Sequence, residues 1–473
     1  MNIIQAYKRF IQTRGEDGMI RNRKKGKRLF RTGAVALTLG LLLTGCGNKT
    51  TGDTGGTSTA EPSTAEPSAA DPSMVKADAR NLAEGVERRE LKDLMMNNDH
   101  SKALSTSAVK LLQKTMELAG DPKENYLISP VSIQLALGML TAGAEEGSET
   151  EKELMELLLP GENAKTSNLN EEMVTIARRM QNSTAWNVAD SIWLNESGNV
   201  KLTENYLSDA VNYYNAELYE APFSSETVDA INAWVKKNTK DRIPTILNQL
   251  DSQAALVLVN ALAFDGEWIT PYTEYQINTK GSFTNADGTV SEATMLSSEE
   301  HGYVSIAKSE GFLKWYKDSD YAFVALLPPE GVSTEEYLKN ILSDEKALSD
   351  AIKNADYEPN LQVEFPEFKA EYGANLNDTL KALGVKKAYS EEAEFGKMIT
   401  EDSNRISVDE VMHKAMIEVD RNGTKAAAAT AIAVTEAAIR NEIFIRLNRP
   451  FIYGIVDMSA GIPVFLGVEN KLN

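Results

Sequence analysis

A β-strand sends successive side chains to opposite faces, so a strand covered on one side only alternates apolar with polar residues. The stretch AALVLVNALAF (Ala254 to Phe264) does not alternate. It is apolar nearly throughout, which requires cover on both faces and therefore a layered architecture. The one polar residue inside it, Asn260, needs a hydrogen-bonding partner in that interior. A second segment, ISVDEVMHKAMIEV, alternates so that Val411, His413, Ala415, Ile417 and Val419 share a face, placing an imidazole on an apolar side. A lone histidine so placed is more often a hydrogen-bonded core residue than a base.

Helical signals come first in the chain. ALSTSAVKLLQKTMELAG has apolar residues at helical spacing and closes on Gly120. In NYLISPVSIQLALGMLTAG, Ser129 is placed to cap a buried helix with Pro130 at its first position. SETEKELMELLLP has capping-box spacing from Ser148 to Glu151 and stops at Pro160, and TVDAINAWVKKNTKDRI is a further amphipathic helix. The C-terminal RPFIYGIVDMSAGIPVFLGVEN reads as two apolar strands joined by a Ser-Ala-Gly turn. Helices early and strands late, without regular βαβ alternation, predict an α+β fold with large mixed sheets.

Outside this part, composition speaks for itself. The first 31 residues carry ten cations against two acids and precede an apolar run, GAVALTLGLLLTGC, that is short for a membrane span and reads as a secretory signal. Leu43-Thr44-Gly45-Cys46 resembles the bacterial lipobox, with Cys46, the sole cysteine, as the residue lipidated after cleavage. Removing those ten cations and two acids takes the formal charge from −20 to −28, which argues against nucleic acid as a partner. With one cysteine there is no intramolecular disulfide. The run TAEPSTAEPSAADPS and its surroundings cannot bury apolar surface and read as a spacer. Residues 74–97 are charged and read as a frayed helix. The resulting division is a signal peptide over 1–45, a lipidated Cys46 and spacer over 46–97, and a folded domain over 98–473.

Catalytic motifs are missing. There is no Walker loop, HExxH, G-x-S-x-G or histidine pair at metal-ligand spacing, and His100, His301 and His413 lie far apart, so neither an enzyme, a cofactor nor a bound metal is expected. A solute-binding protein would need repeated βαβ units in two lobes. The remaining puzzle is GTKAAAATAIAVTEAAIRN (Gly423 to Asn441), alanine-rich like a helix yet threaded with β-branched residues. Taken alone it reads equally well as a helical linker or as a segment suited to two conformations.

The motifs NYLISPVSIQLALGMLTAGA, INAWVKKNTKDRI, LVLVNALAFDGEW, VMHKAMIEV and RPFIYGIVDMSAGIPVFLGVENKL, in this order, resemble those of the serpins across residues 101–473. The resemblance implies a serpin fold, with a large mixed central sheet, two further sheets, eight or nine helices and an exposed reactive loop at about 421–446. It implies a suicide-substrate inhibitor of serine proteases, whose cut loop inserts as a new central strand and traps the acyl-enzyme. The alternative within the family is a non-inhibitory member that is cut without trapping, as a binding or surface protein. On this reading the hinge is Gly423, Thr424, Ala426, Ala427, Ala428, Ala429 and Thr430, small enough to serve as loop first and buried strand later. Family spacing from the hinge puts the cut bond at Ala437-Ala438, which suits elastase-like or subtilisin-like proteases. Counting back from Pro450-Phe451 points to Ile439, and Arg440 would suit trypsin-like enzymes.

By the same resemblance, Ser129, Ser132, Asn260 and His413 form a shutter beneath the place where the sheet opens, and Trp268, Glu367 and Arg421 lie at the breach where the loop starts to insert. Two positions depart from the family pattern. Family members usually carry Glu where Arg421 stands and Lys where Glu367 stands, so an inverted ion pair is expected; Lys425 also replaces a common acidic residue. The expected protein is a monomer, lipid-anchored to a membrane surface of a bacterial cell envelope.

Overall fold

The computed structural model describes residues 79–91, 95–161, 164–318, 320–344, 347–424 and 442–472, all within the unit running from Ser73 to Asn473. After strand β1 (Arg80–Asn81) come α1 (Asn98–Ala119), β2 (Tyr126–Ile128), α2 (Pro130–Gly143), α3 (Glu149–Leu158) and α4 (Thr166–Asn182). Then follow β3 (Trp186–Asn195), α5 (Glu204–Tyr214), β4 (Glu217–Ala221) and α6 (Ser225–Asn238). Strands dominate from there: β5 (Leu256–Phe264), β6 (Gly266–Glu267), β7 (Ile277–Thr284), β8 (Val290–Glu300), β9 (Tyr303–Val304), β10 (Glu310–Trp315) and β11 (Tyr321–Leu327). Helices α7 (Thr334–Leu342) and α8 (Leu348–Lys353) precede β12 (Asn360–Pro366) and β13 (Phe368–Asn375), and α9 (Asn377–Ala382) precedes β14 (Glu410–Val419). The chain ends with β15 (Gly423–Thr424), β16 (Glu442–Arg446), β17 (Phe451–Asp457) and β18 (Ile462–Glu469). Among the described residues this is the α+β class expected, with nine α-helices and three large sheets.

Local chemistry explains the helix starts. Ser129 Oγ accepts the Ser132 N–H and Pro130 occupies the first turn of α2, whose residues are all buried, as in a helix that is core on every side. Ser148 Oγ accepts the Glu151 N–H at the start of α3, but the Glu151 carboxylate takes the N–H of Gly147 and so does not close the box on Ser148. Helix α1 ends where Gly120 turns left-handed, with φ 75°. The charged segment read as a frayed helix is different where it is described: Arg80 and Asn81 form β1, antiparallel to the edge strand β4. Pairing with an open sheet edge outweighs propensity there. Arg80 bonds Glu220, and Arg88 and Arg89 reach the C-terminal half of α5 through Asn215 and Asn212.

The main sheet runs in the order β1-β4-β3-β5-β14-β13. Strand β5 is buried along its whole length, as its composition requires. Val257, Val259 and Ala261 face the cluster built with Ile231, Trp234 and Val235 of α6, so the alternate residues, Asn260 among them, face the other side. Strands β5 and β14 are neighbours and parallel, with His413 opposite Asn260, whereas β3 and β13 are antiparallel to them. The second sheet, β2-β18-β17-β11-β10-β9, contains the C-terminal hairpin, and the third is β16-β12-β8-β7.

Candidate functional site

The parallel pair β5 and β14 makes a seam in the middle of the main sheet, and the residues singled out in the sequence lie at two levels along it. Beneath the seam, Ser129, Ser132, Asn260 and His413 come together. His413 Nε2 accepts the Ser129 N–H at 3.0 Å, so its proton sits on Nδ1, which donates to Asn260 Oδ1 at 2.6 Å. This bond crosses the seam. Asn260 Nδ2 then donates to Asp190 Oδ1 on β3, which also takes the Ser132 hydroxyl at 3.3 Å. Ser129 Oγ donates to the Val464 carbonyl at 2.9 Å. Burial lowers the His413 pKa to about 3, and both ring nitrogens are engaged. The imidazole is neutral and held, with no free nitrogen to act as a base. Its hydrogen bonds form a latch, in the geometric sense that they tie β14 to β5 and to the start of α2.

Asp190 is the member that sequence reading missed. The signal was present: an acid amid the apolar residues of WNVADSIWLN can be buried only with partners. Burial raises its pKa from 3.8 to about 7, against the opposing pull of the Ser132 and Asn260 hydrogen bonds. The folded protein therefore holds a proton here that the unfolded chain releases near pH 4. Stability from this group is present at low pH and lost as pH rises from about 4 to about 7, by up to about 4 kcal/mol. Asp190→Asn should flatten that part of the pH profile of thermal unfolding relative to the parent. Superimposable profiles for the two proteins would mean that Asp190 is ionised throughout.

At the upper end of the seam β14 gives way to a turn. The carbonyls of Asp420 and Asn422 accept from Trp268 Nε1 at 2.9 Å and Trp268 N at 3.0 Å, and that of Arg421 accepts from Tyr272 N at 2.9 Å. Gly423 has φ 152°, and a Cβ there would lie 2.1 Å from the Gly266 carbonyl oxygen, so only glycine fits. The chain has now reversed: β15 is antiparallel to β6, which directly extends β5. Thr424 is fully buried, with Oγ1 2.8 Å from the Tyr316 hydroxyl, and the Tyr316 ring stacks on Trp268 at 4.5 Å.

Arg421 and Glu367 meet as a fork on a carboxylate, Nε to Oε1 at 2.8 Å and a terminal nitrogen to Oε2 at 3.0 Å, with the Arg421 N–H on the same Oε1 at 3.1 Å. Arg421→Glu sets two carboxylates against each other and should cost about 1 kcal/mol at this half-exposed site. Adding Glu367→Lys should restore most of it in a double-mutant cycle of thermal melts. If the double variant melts no higher than Arg421→Glu alone, the pair carries no coupling.

Hinge positions Ala426, Ala427, Ala428, Ala429 and Thr430, the bond Ala437-Ala438, its alternatives Ile439 and Arg440, the neighbouring Lys425 and the lipobox Cys46 lie outside the described residues. Among the described residues no group of His, Cys, Asp or Glu is placed to share a metal ion, and no helix is long and apolar enough to cross a membrane.

Comparison with known proteins agrees with this geometry. Residues 102–471 match the family described as Serpin (serine protease inhibitor). Iripin-5 of Ixodes ricinus is 30% identical over 391 residues, covering 79% of this chain and 95% of that protein. Antichymotrypsin-2 of Bombyx mori is 27% identical over 365 residues, covering 75% and 94%. The thermophilic serpin tengpin in its native state is 34% identical with a TM-score of 0.75, over 83% of this chain and all of that one. Against tengpin in its latent state the TM-score is 0.66 at 30% identity, over 82% of this chain and all of that one.

Proposed function

This chain belongs to the serpin family, and from that premise we propose that it is a single-use inhibitor of serine proteases that traps its target by inserting its cut loop into the seam between β5 and β14. One observation carries the reading. At Gly423 and Thr424 the backbone has already turned back at the upper end of a parallel pair, in the direction a strand antiparallel to both β5 and β14 would follow. Such a strand would satisfy backbone groups on both of its edges.

The protease serine attacks the carbonyl of the bait bond, Ala437-Ala438 on family spacing, and the amine of Ala438 leaves. Ala437 stays as an ester on the enzyme. Insertion then competes with water. Insertion breaks the ladder between β5 and β14 and builds two in its place; a net gain of about a dozen hydrogen bonds at roughly 0.5–1.5 kcal/mol each, with apolar burial added, supplies on the order of ten kcal/mol. That suffices to pull the ester away from the oxyanion hole and triad that would hydrolyse it. Alternating residues from Thr424 to Val434 are small or β-branched and suit the covered face, while Lys425 falls on the other. The lipobox at Cys46 supports anchoring to a membrane surface of the cell envelope, with the domain held out on the spacer.

Incubation with elastase, subtilisin and trypsin, followed by denaturing electrophoresis and mass measurement of the released peptide, tests the reading. A denaturation-stable 1:1 complex and a peptide beginning at Ala438 are expected. Cleavage by every protease with release of free enzyme would instead make this a non-inhibitory member of the family. A peptide beginning at Arg440 or Asn441 would move the bait bond to Ile439 or Arg440.

A further inference from the structure

Three consecutive carbonyls of the turn that starts the loop, those of Asp420, Arg421 and Asn422, each accept from Trp268 or Tyr272. Both rings share one neighbour. Lys314 on β10 is 3% exposed, and its ammonium lies 5.3 Å from the Trp268 ring centre and 4.5 Å from that of Tyr272. Its counter-ion is Glu300 on β8, also buried, at 2.5 Å. Glu300 Oε1 accepts the Ser298 hydroxyl as well, at 2.7 Å, and Ser298 Oγ is 2.9 Å from the Tyr272 hydroxyl. The cation therefore grips Trp268 from its face, and Tyr272 both from its face and, through Glu300 and Ser298, from its hydroxyl.

A buried ion pair is a costly way to fill space, since apolar side chains of similar volume usually stabilise as well or better. This pair touches neither the latch beneath the seam nor the Arg421–Glu367 contact. What it does touch is Trp268 and Tyr272, the two residues that hold the carbonyl side of the turn. Desolvated cation–ring contacts are also stronger than exposed ones.

We propose that Lys314, with Glu300 as its counter-ion, is a positioning residue for loop insertion, clamping Trp268 and Tyr272 so that the turn Asp420–Asn422 is preset in the reversed geometry from which the inserting strand starts. The proposal rests on the insertion reading above. Without the clamp the two anchors are free to shift, Gly423 and Thr424 lose their fixed start, and insertion slows relative to hydrolysis of the ester. More inhibitor is then consumed per protease trapped.

The test is the partition ratio, moles of inhibitor cut per mole of protease trapped, for Lys314→Met, Lys314→Arg and Glu300→Gln beside the parent. Lys314→Met should raise it fivefold or more. Lys314→Arg keeps a cation that stacks on rings and should stay within twofold of the parent. Glu300→Gln removes the counter-ion at constant size and should raise the ratio as well, which keeps the test alive if Lys314→Met does not fold. A merely structural role would lower the melting temperature of these variants and leave the ratio unchanged. A parent ratio matched by both Lys314→Met and Glu300→Gln, or by Glu300→Gln alone where Lys314→Met is unfolded, overturns the clamp while leaving inhibition intact. A parent that traps no protease overturns the inhibitory reading itself.

Discussion

Protein nicked once at the bait bond, after Ala437, Ile439 or Arg440, should melt at least about 10–15 °C above the intact protein. The figure follows from the insertion energy: about ten kcal/mol, divided by the unfolding entropy of a domain spanning residues 102–471, at roughly 2 cal/mol/K per residue. Nicking ordinarily does the reverse, because a new pair of chain ends enlarges the unfolded ensemble. A gain in heat resistance on cutting is therefore diagnostic of a chain held short of its most stable arrangement. Calorimetry of both forms, with mass spectrometry to verify a single cut, is the measurement. Equal melting temperatures would mean that the seam does not accept the freed strand.

The residues along the seam were legible to different degrees, for identifiable reasons. Strand β5 was readable because burial on both faces leaves no other composition, and Asn260 and His413 stood out as polar residues in apolar patterns. Their pairing across the seam was not a local property. It follows from the parallel register of two strands separated by about 150 residues, for which only the family resemblance offered a guide. Ser129 announced itself as a helix cap, and its second use, with its backbone N–H on His413, needed the fold. Asp190 was visible as an acid within an apolar strand, but a search for histidines and catalytic motifs passes over a carboxyl that acts by being buried. Lys314 and Tyr316 carried no signal. Each sits in a short strand of the second sheet or just beyond it, and their partners Trp268, Tyr272 and Thr424 come from distant parts of the chain. The segment with β1 misled because its contribution is backbone pairing at a sheet edge, which charged side chains neither favour nor forbid.

If the chain inhibits as proposed, Thr424→Arg should turn it into a substrate. Thr424 is the last described residue before the bait segment and is already buried against Tyr316, at the mouth of the seam. The partner of the residue 424 side chain there is the uncharged Tyr316 hydroxyl, which cannot neutralise an arginine, and an unpaired buried charge costs several kcal/mol. The intact protein can relieve that cost by keeping Gly423 and residue 424 out of the sheet, giving up one hydrogen bond and the two-residue pairing with β6. On the insertion reading the inserted state cannot, because residue 424 is the first to enter. At about 1.4 kcal/mol per factor of ten, a penalty of several kcal/mol slows insertion by a factor of hundreds or more. Hydrolysis of the ester then wins the competition nearly every time. The expected result is cleavage at an unchanged rate, loss of the denaturation-stable complex and a turnover of hundreds of inhibitor molecules per protease. The thermal gain on nicking shrinks with it. Thr424→Ser keeps the hydroxyl that meets Tyr316 and should trap as the parent does. Trapping by Thr424→Arg with parental efficiency would show that residue 424 never enters the seam, and the strand would have to start later, among the alanines that follow.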